Sequence, residues 1–384
     1  MPITDLSFVA HHSERPAGFA SLSGALRGAL PTSRIGASIR IPRGRLAYNL
    51  GLIGELDPNA DYILADPESR QVVLPYAKRG RGRPDHDYLK EDTPAANRAR
   101  YVEQVLRSQI AHGADTLITP SLIHGLSPGN ADLDATVDFA NAAIADPLSS
   151  GRDLVMGLEA LHTVFANTAA RNYMINSVVE LDGELPVWLR MTITASQGRS
   201  QFLQETSLKG LRVVVESLTA NSRPVLLPHS GLCGWLMMGF GALAFGAGVP
   251  GSLERNVVPS PTAGGGGNPP LHWYFEPQLL GFVRAEEMPG ISGTPGFAPC
   301  PCPFCGSGLP ATGAAFDPGA AARHYLWWCV TLVDDVRAAS DRPAHVRGRL
   351  DDAVRFWGAV QTAGVLLDDR SKPGHLAVWQ RVAI

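Results

Sequence analysis

The sequence predicts an α/β protein: a TIM (β/α)8 barrel with a C-terminal zinc-binding subdomain. Two observations predict the barrel, namely the alternation of strand-like and helix-like segments between residues 61 and 275 and a strand count of about eight. A third observation, three cysteines within six residues followed by a histidine, predicts the zinc subdomain. We therefore expect an N-terminal extension with a hairpin (1–60), the barrel (61–290), and a zinc-binding and helical subdomain (291–384).

Length and composition favour a globular protein of this size. The 384 residues can supply one large barrel with an appendage, and 45% hydrophobic against 18% charged residues allows a sizeable core. A net charge of -3 gives no overall attraction to nucleic acid, so any surface that binds it must be local. No uninterrupted apolar segment reaches the roughly 20 residues that span a bilayer, and the N-terminus has no signal-peptide pattern. We expect a cytoplasmic protein with no membrane partner.

The N-terminal segment is expected to lie outside the barrel. Residues 38–49 predict two short strands about a Pro-Arg-Gly turn, a hairpin that could close one end of the barrel. His11 and His12 are adjacent but have no nearby partners in the sequence, so we expect them to be solvated rather than bound to a metal.

The strand and helix predictions follow the spacing of apolar residues. Strands are predicted at 61–66, 115–119, 153–157, 186–194, 210–216, 223–228, 243–245 and 271–275. Helices are predicted at 93–112, 130–145, 161–179, 321–339 and 344–363, and residues 376–384 fit a strand or the end of a helix. No G-x-G-x-x-G follows the first strand, which favours a closed barrel over a dinucleotide-binding sheet.

Four polar side chains stand at or near the ends of predicted strands, where barrel enzymes place their chemistry. Asp66 ends the first strand and is a candidate acid or base, although it could instead cap the following turn. Glu159 follows the third strand. His229, in a Pro-His-Ser-Gly turn, could carry a proton or bind phosphate, or it could satisfy backbone groups. Glu276 ends the aromatic strand 273–275 and is a further catalytic candidate.

One dense basic run covers residues 78–83 and contains Arg79 and Arg81. One guanidinium group can donate two parallel hydrogen bonds to a phosphate, so these arginines could bind along a nucleic-acid backbone. A short run of this kind is also common in solvated loops, and the sequence leaves both interpretations open.

The predicted zinc ligands are Cys300, Cys302, Cys305 and His324, with His345 as a competing histidine. Three cysteines and one histidine fill a tetrahedral shell, so such a site is structural. The alternative is a surface loop with free thiols. Cys233 and Cys329 lie in apolar helix-like runs and are expected to be buried, inert thiols.

The pattern C-x-C-x-x-C followed by a helical histidine resembles the zinc motif of the tRNA-guanine transglycosylase family. Residues 63–72 also resemble the family segment in which an aspartate is followed five residues later by a glutamine. The resemblance implies a TIM barrel with an inserted zinc subdomain, Asp66 as a general base and Gln71 as its downstream glutamine. It also implies tRNA or DNA and a 7-deazaguanine-type base as partners, and a homodimer or heterodimer formed through the zinc subdomain.

In that family a nucleophilic aspartate immediately follows a Gly-x-Asp-x-Phe strand, and the corresponding position here is Gly246. Three interpretations stay open. Glu254 or Glu276 could replace the nucleophile; Asp66 or Glu159 could activate an incoming group without a covalent intermediate; or the chain could be a non-catalytic nucleic-acid-binding or accessory subunit. A barrel enzyme for a small molecule is a further, separate class.

Overall fold

A computed structural model describes most of the chain. The described residues are 5–12, 19–41, 46–69, 94–114, 116–125, 130–194, 203–248, 257–258, 272–306 and 309–384.

Eight parallel strands form a closed barrel, as the sequence predicts. Each strand pairs with its neighbours in parallel, and the eighth returns to pair with the first, with Phe8 opposite Phe245. The barrel strands are β1 (Ser7–His12), β2 (Ile35–Arg40), β3 (Tyr62–Asp66), β4 (Thr116–Ile118), β6 (Asp153–Leu161), β7 (Val187–Thr194), β8 (Val225–Leu227) and β9 (Ala244–Gly248). Two-residue strands extend the sheet beside β6 and β7, namely β5 (Ile123–His124) and β10 (Val257–Val258).

Helices follow the barrel strands along the chain and cover the outside of the sheet. They are α1 (Phe19–Ala29), α2 (Leu46–Leu56), α3 (Arg98–Ala111), α4 (Ala131–Ala145), α5 (His162–Ala166), α6 (Thr168–Val179), α7 (Glu205–Ala220), α8 (Leu232–Met238) and α10 (Pro318–Ala338). Alternate strand residues point inward, and one apolar layer fills the barrel interior. This layer consists of Val9, Leu64, Ile118, Val155, Trp188, Leu226 and Ala244.

The barrel begins at β1, so the prediction that residues 1–60 lie outside it is wrong. In the described parts of residues 38–49, β2 ends at Arg40 and α2 begins at Leu46, in place of the predicted hairpin strands. Both β1 and β2 are parallel barrel strands. The outward residues of β2 are apolar, whereas the inward ones include the small Gly36 and Ser38, which weakened the sequence signal for a buried strand.

Two of the predicted strands are not barrel strands. Residues 210–216 belong to α7, whose buried residues recur at helical spacing. Residues 273–276 form β11 (Trp273–Glu276), which pairs antiparallel with β12 (Gly281–Arg284) outside the barrel. The predicted count of eight is thus correct although two of its members are not, because β1 and β2 replace them.

An insertion that carries the cysteines separates β9, the last barrel strand, from α10, the helix that follows it on the barrel. We call β11, β12, α9 (Met288–Ser292) and the loop 299–306 the Cys3His subdomain. Its small core includes Tyr274, Val283 and Ile291 on β11, β12 and α9, together with Phe356 on α11 (Arg342–Thr362). The subdomain therefore begins before the predicted boundary at residue 290.

Helix α10 connects the Cys3His subdomain to the base of the barrel. Its first turns carry His324, and near its other end Arg337 donates a hydrogen bond to the carbonyl oxygen of Leu6, just before β1. Asp334 accepts a hydrogen bond from the hydroxyl of Ser33, before β2. The chain ends in α11 and α12 (His375–Ala383), and α12 packs on α7. Within the described residues, no helix is both long and apolar enough to cross a membrane.

Candidate active site and metal centre

Four polar side chains meet inside the barrel at the carboxyl ends of the strands. Asp66 from β3, Glu159 from β6 and Arg190 from β7 point inward, and His229 lies two residues after the end of β8. The Arg190 guanidinium donates a hydrogen bond to Asp66, and its other terminal nitrogen lies 3.8 Å from a carboxylate oxygen of Glu159. His229 Nε2 lies 3.7 Å from Asp66 Oδ2. The structure thus brings together three of the side chains that the sequence singled out.

Asp66 is fully buried, yet its surroundings favour the ionised form. Burial works to raise the pKa of this carboxyl, but the charge of Arg190 and the hydrogen bond from His229 outweigh it, so the pKa lies well below its usual range. Oδ1 also accepts the backbone N–H of Glu68 at 2.9 Å, which is the turn-capping contact the sequence offered as an alternative. Asp66 therefore both caps the turn and faces the barrel interior.

Two further buried contacts surround this group. Glu159 accepts a hydrogen bond from the hydroxyl of Thr192, and Arg40 Nε lies 2.8 Å from Glu68 Oε1. Arg40, Glu68 and Arg190 were not recognised from the sequence. Arg40 and Arg190 are inward-facing residues of strands, and their signal is a charge at a position that should be buried.

His11 is a further member of this site that sequence reasoning missed. Only 1% of its surface is exposed, so the expectation of a solvated residue is wrong. Its ring stacks on that of His229, with centroids 3.7 Å apart and planes 15° apart, and His11 Nε2 accepts the backbone N–H of His229 at 2.9 Å. Burial is the main cause of the lowered pKa of both histidines, which reaches about 4 for His229.

The ring of His11 also explains the glycine on β9. A Cβ added to Gly246 would lie 2.2 Å from His11 Nε2, far inside van der Waals contact. An aspartate at this position would therefore require His11 to move.

The three cysteines and His324 form one compact group, as the sequence predicts, and could hold a metal ion. Their ligand atoms all lie within 4.8 Å of one another. His324 Nδ1 lies 3.3 Å from the sulfurs of Cys300 and Cys302 and 3.1 Å from that of Cys305. Tetrahedral coordination of zinc places sulfur and nitrogen ligands roughly 3.5 Å apart, so a small outward movement would suffice.

The neighbours of this group fix the orientation of its ligands. His324 Nε2 lies 2.7 Å from the carbonyl oxygen of Phe275, so Nε2 donates its proton there and Nδ1 presents a lone pair to the sulfurs. The indole N–H of Trp328 donates to Cys300 Sγ at 3.3 Å, which stabilises a thiolate, and Tyr274 stacks on His324. These are the contacts that metal-ligating side chains usually receive from their surroundings.

The remaining candidates fall in different places. His345 lies on α11 and is not a member of the metal group. Cys233 and Cys329 are buried thiols, as predicted. Glu276 is buried on β11, where it accepts the N–H of Gln278, and burial raises its pKa to about 8. Its catalytic role stays a prediction.

Four predicted residues, Gln71, Arg79, Arg81 and Glu254, lie outside the described residues. Their predicted roles on a base or a phosphate backbone stay predictions. No known protein family matches the chain, and no curated protein is significantly similar to it.

Proposed function

We propose that this protein acts on a nucleobase in tRNA or DNA by exchange or related chemistry at the N-glycosidic bond, with Asp66 at the reacting centre. The observation that supports this most is the convergence of Asp66, Glu159, Arg190 and His229 at the carboxyl end of the barrel, where enzymes of this fold place their active sites. The similarity of the cysteine motif and of residues 63–72 to the transglycosylases supplies the substrate class.

The charge on Asp66 favours one role over another. A carboxyl whose pKa lies well below its usual range is a weak general base at neutral pH, but it carries a permanent negative charge. Such a charge stabilises the oxocarbenium-like sugar that forms when a glycosidic bond breaks, or captures it as a covalent intermediate. We therefore assign Asp66 to the sugar carbon, and we propose His229 for proton transfer because its Nε2 lies 3.7 Å from Asp66 Oδ2, beside the reacting centre.

For the metal group we propose a structural zinc ion. Cys300, Cys302, Cys305 and His324 supply four ligands of the type zinc prefers and leave no position open for substrate. Zinc would cross-link the loop to the first turns of α10 without entering the reaction. From the sequence resemblance we further propose a cytoplasmic homodimer or heterodimer that forms through this subdomain and accepts a 7-deazaguanine-type base.

A second function is favoured by Gly246. Because His11 fills the space beside this glycine, β9 offers no nucleophile at the position where transglycosylases carry theirs. A chain that retains the barrel and the metal group while losing base exchange would be a nucleic-acid-binding or accessory subunit.

One experiment separates the two functions. Incorporation of labelled guanine and of a labelled 7-deazaguanine base into tRNA and into duplex DNA is measured with wild-type protein, with Asp66→Asn and with Asp369→Asn. Asp369, 91% exposed, is the matched control. We expect exchange by wild type and by the control, and a loss of at least about 100-fold in Asp66→Asn.

The outcomes are distinct. Full exchange by Asp66→Asn would contradict the role of this residue. Binding that weakens steeply with salt but without exchange would support the accessory subunit. If the protein shows no binding and no exchange, both functions are excluded.

A further inference from the structure

The hydrogen bond that His11 accepts from His229 determines which of its ring nitrogens carries a proton. The backbone N–H of His229 can only donate, and it points at His11 Nε2 from 2.9 Å. Nε2 must therefore present a lone pair, which excludes the doubly protonated ring. A neutral ring with an unprotonated Nε2 carries its single proton on Nδ1.

That Nδ1–H is buried and has no acceptor among the residues that the structure describes. The Nδ1 atom is buried and makes no hydrogen bond within the described part of the chain, and only 1% of the residue's surface is exposed. A buried donor without an acceptor destabilises the fold, and such groups in native proteins usually serve water or a ligand. The ring of His11 stacks on that of His229, and it occupies space that a side chain at position 246 would otherwise fill.

The charges around His11 restrict the ligand. Asp66, Arg40 and Arg190 all lie close enough to influence its ring electrostatically. Carboxylates such as Asp66 and Glu159 accept hydrogen bonds from ligand N–H groups, whereas His11 Nδ1–H requires a ligand acceptor. A guanine-type base presents both, since ring and exocyclic N–H groups stand beside a carbonyl oxygen and a bare ring nitrogen.

We propose that His11 is a base-binding residue whose Nδ1–H donates a hydrogen bond to the carbonyl oxygen or the bare ring nitrogen of a guanine-type base in the barrel mouth. This inference rests on the proposed function, because it places a nucleobase beside Asp66. It assigns a role in base specificity to a residue on β1 that belongs neither to the cysteine motif nor to the ends of the predicted strands.

The test measures binding of free bases, with no nucleic acid and no turnover. Equilibrium dialysis compares labelled guanine, 2,6-diaminopurine, which lacks the carbonyl, and 7-deazaguanine, which lacks the bare ring nitrogen. The proteins are wild type, His11→Leu, which removes both ring nitrogens, His11→Gln, which restores a donor and an acceptor, and the control His345→Leu on α11. Thermal melting checks that each variant is folded.

We expect wild type and the control to prefer guanine over one of the two analogues. His11→Leu should weaken guanine binding about 5- to 20-fold and abolish that preference, and His11→Gln should recover part of both. Nitrogen NMR of labelled histidine in wild type should show a protonated Nδ1 whose signal moves when guanine binds.

Three results would overturn the inference: unchanged preference in a folded His11→Leu, a proton on Nε2 instead of Nδ1, or no binding of any of the three bases by wild type. Base binding that depends on His11 but without exchange would contradict only the proposed function. Exchange that does not depend on His11 would contradict only this inference.

Discussion

In the barrel mouth, the ring of His11 fills the space that Gly246 leaves by having no side chain. The Cβ that any other residue would place at 246 would lie 2.2 Å from His11 Nε2. The two residues are diagonal neighbours on β1 and β9, the strands whose pairing closes the barrel, with Gly246 paired with Val9 and His11 with Gly248. Their packing is therefore coupled to the closure itself.

Gly246→Ala should destabilise the wild-type protein by about 1–3 kcal/mol, since the added methyl overpacks a rigid site. In a His11→Ala background the same change should cost much less, because the ring that it contacts is gone. Urea denaturation of the two single variants and the double variant gives the coupling free energy. Gly28→Ala on α1, where an added Cβ meets no neighbouring atom, is the control and should be neutral or stabilising. Equal costs of Gly246→Ala in both backgrounds would disprove the contact.

Arg190→Met should be more destabilising than Asp66→Asn. Removal of the guanidinium leaves two buried carboxylates, Asp66 and Glu159, without this partner, at a cost of about 3–5 kcal/mol. Removal of the Asp66 charge leaves Arg190 beside Glu159. The double variant Asp66→Asn/Arg190→Met should recover part of the loss, and chemical denaturation at neutral pH measures all three.

The difference between Arg190→Met and wild type should shrink in acid. The pKa of Asp66 is lowered in the folded protein, so its ion pair stabilises the fold above the unfolded pKa of about 4 and is lost as the pH falls further. We would measure the free energy of unfolding of both proteins from about pH 2.5 to about pH 7, an interval that includes that pKa. The two values should converge at the acidic end. A constant difference across this range would show that Asp66 is not the group concerned.

Mild acid should destabilise the protein through its buried histidines. His375 Nε2 donates to the carbonyl oxygen of Leu280, and burial lowers the pKa of His375 from 6.5 to about 4. Between pH 6.5 and about pH 4, His375 becomes protonated in the unfolded chain but stays neutral in the folded one. The free energy of unfolding therefore falls over this interval, by up to about 3 kcal/mol for this residue. His375→Gln should show a correspondingly flatter stability curve over that interval. An identical curve in the variant would mean that His375 is charged in the folded state.

The metal group predicts about one zinc ion per purified chain. Cys302→Ser should lose the ion and much of the stability of the Cys3His subdomain, whereas Cys329→Ser, a buried thiol outside the group, should retain it. Elemental analysis and thermal melting with and without chelator provide the measurement. A fully folded, zinc-free wild type would refute the metal assignment.

The sequence revealed the fold and the metal group because each leaves a local signal. Six barrel strands are apolar enough to be recognised, and three cysteines within six residues need no tertiary information. β1 and β2 were missed because small or polar residues, such as Gly36 and His11, face the barrel interior there. Residues 210–216 were mistaken for a strand because a run of valines fits either structure until the neighbouring helical spacing is considered.

The candidate site was only partly predictable for a different reason. Asp66, Glu159 and His229 lie at or near the ends of predicted strands, so the general placement of active sites in barrels was enough to identify them. Arg190 and His11 become significant only through their partners, which are 124 and 218 residues away in the sequence. Such pairings cannot be read from spacing along the chain.

The position of His324 on α10 has a consequence for how the molecule responds to metal. One end of this helix carries His324 of the Cys3His group, and the other end contacts Leu6 and Ser33, the residues that lead into the first two barrel strands. We therefore expect metal binding at the Cys3His group to stabilise, through α10, the segments that lead into β1 and β2. Amide protons of β1 should exchange faster after chelation than those of β6, which α10 does not hold in place.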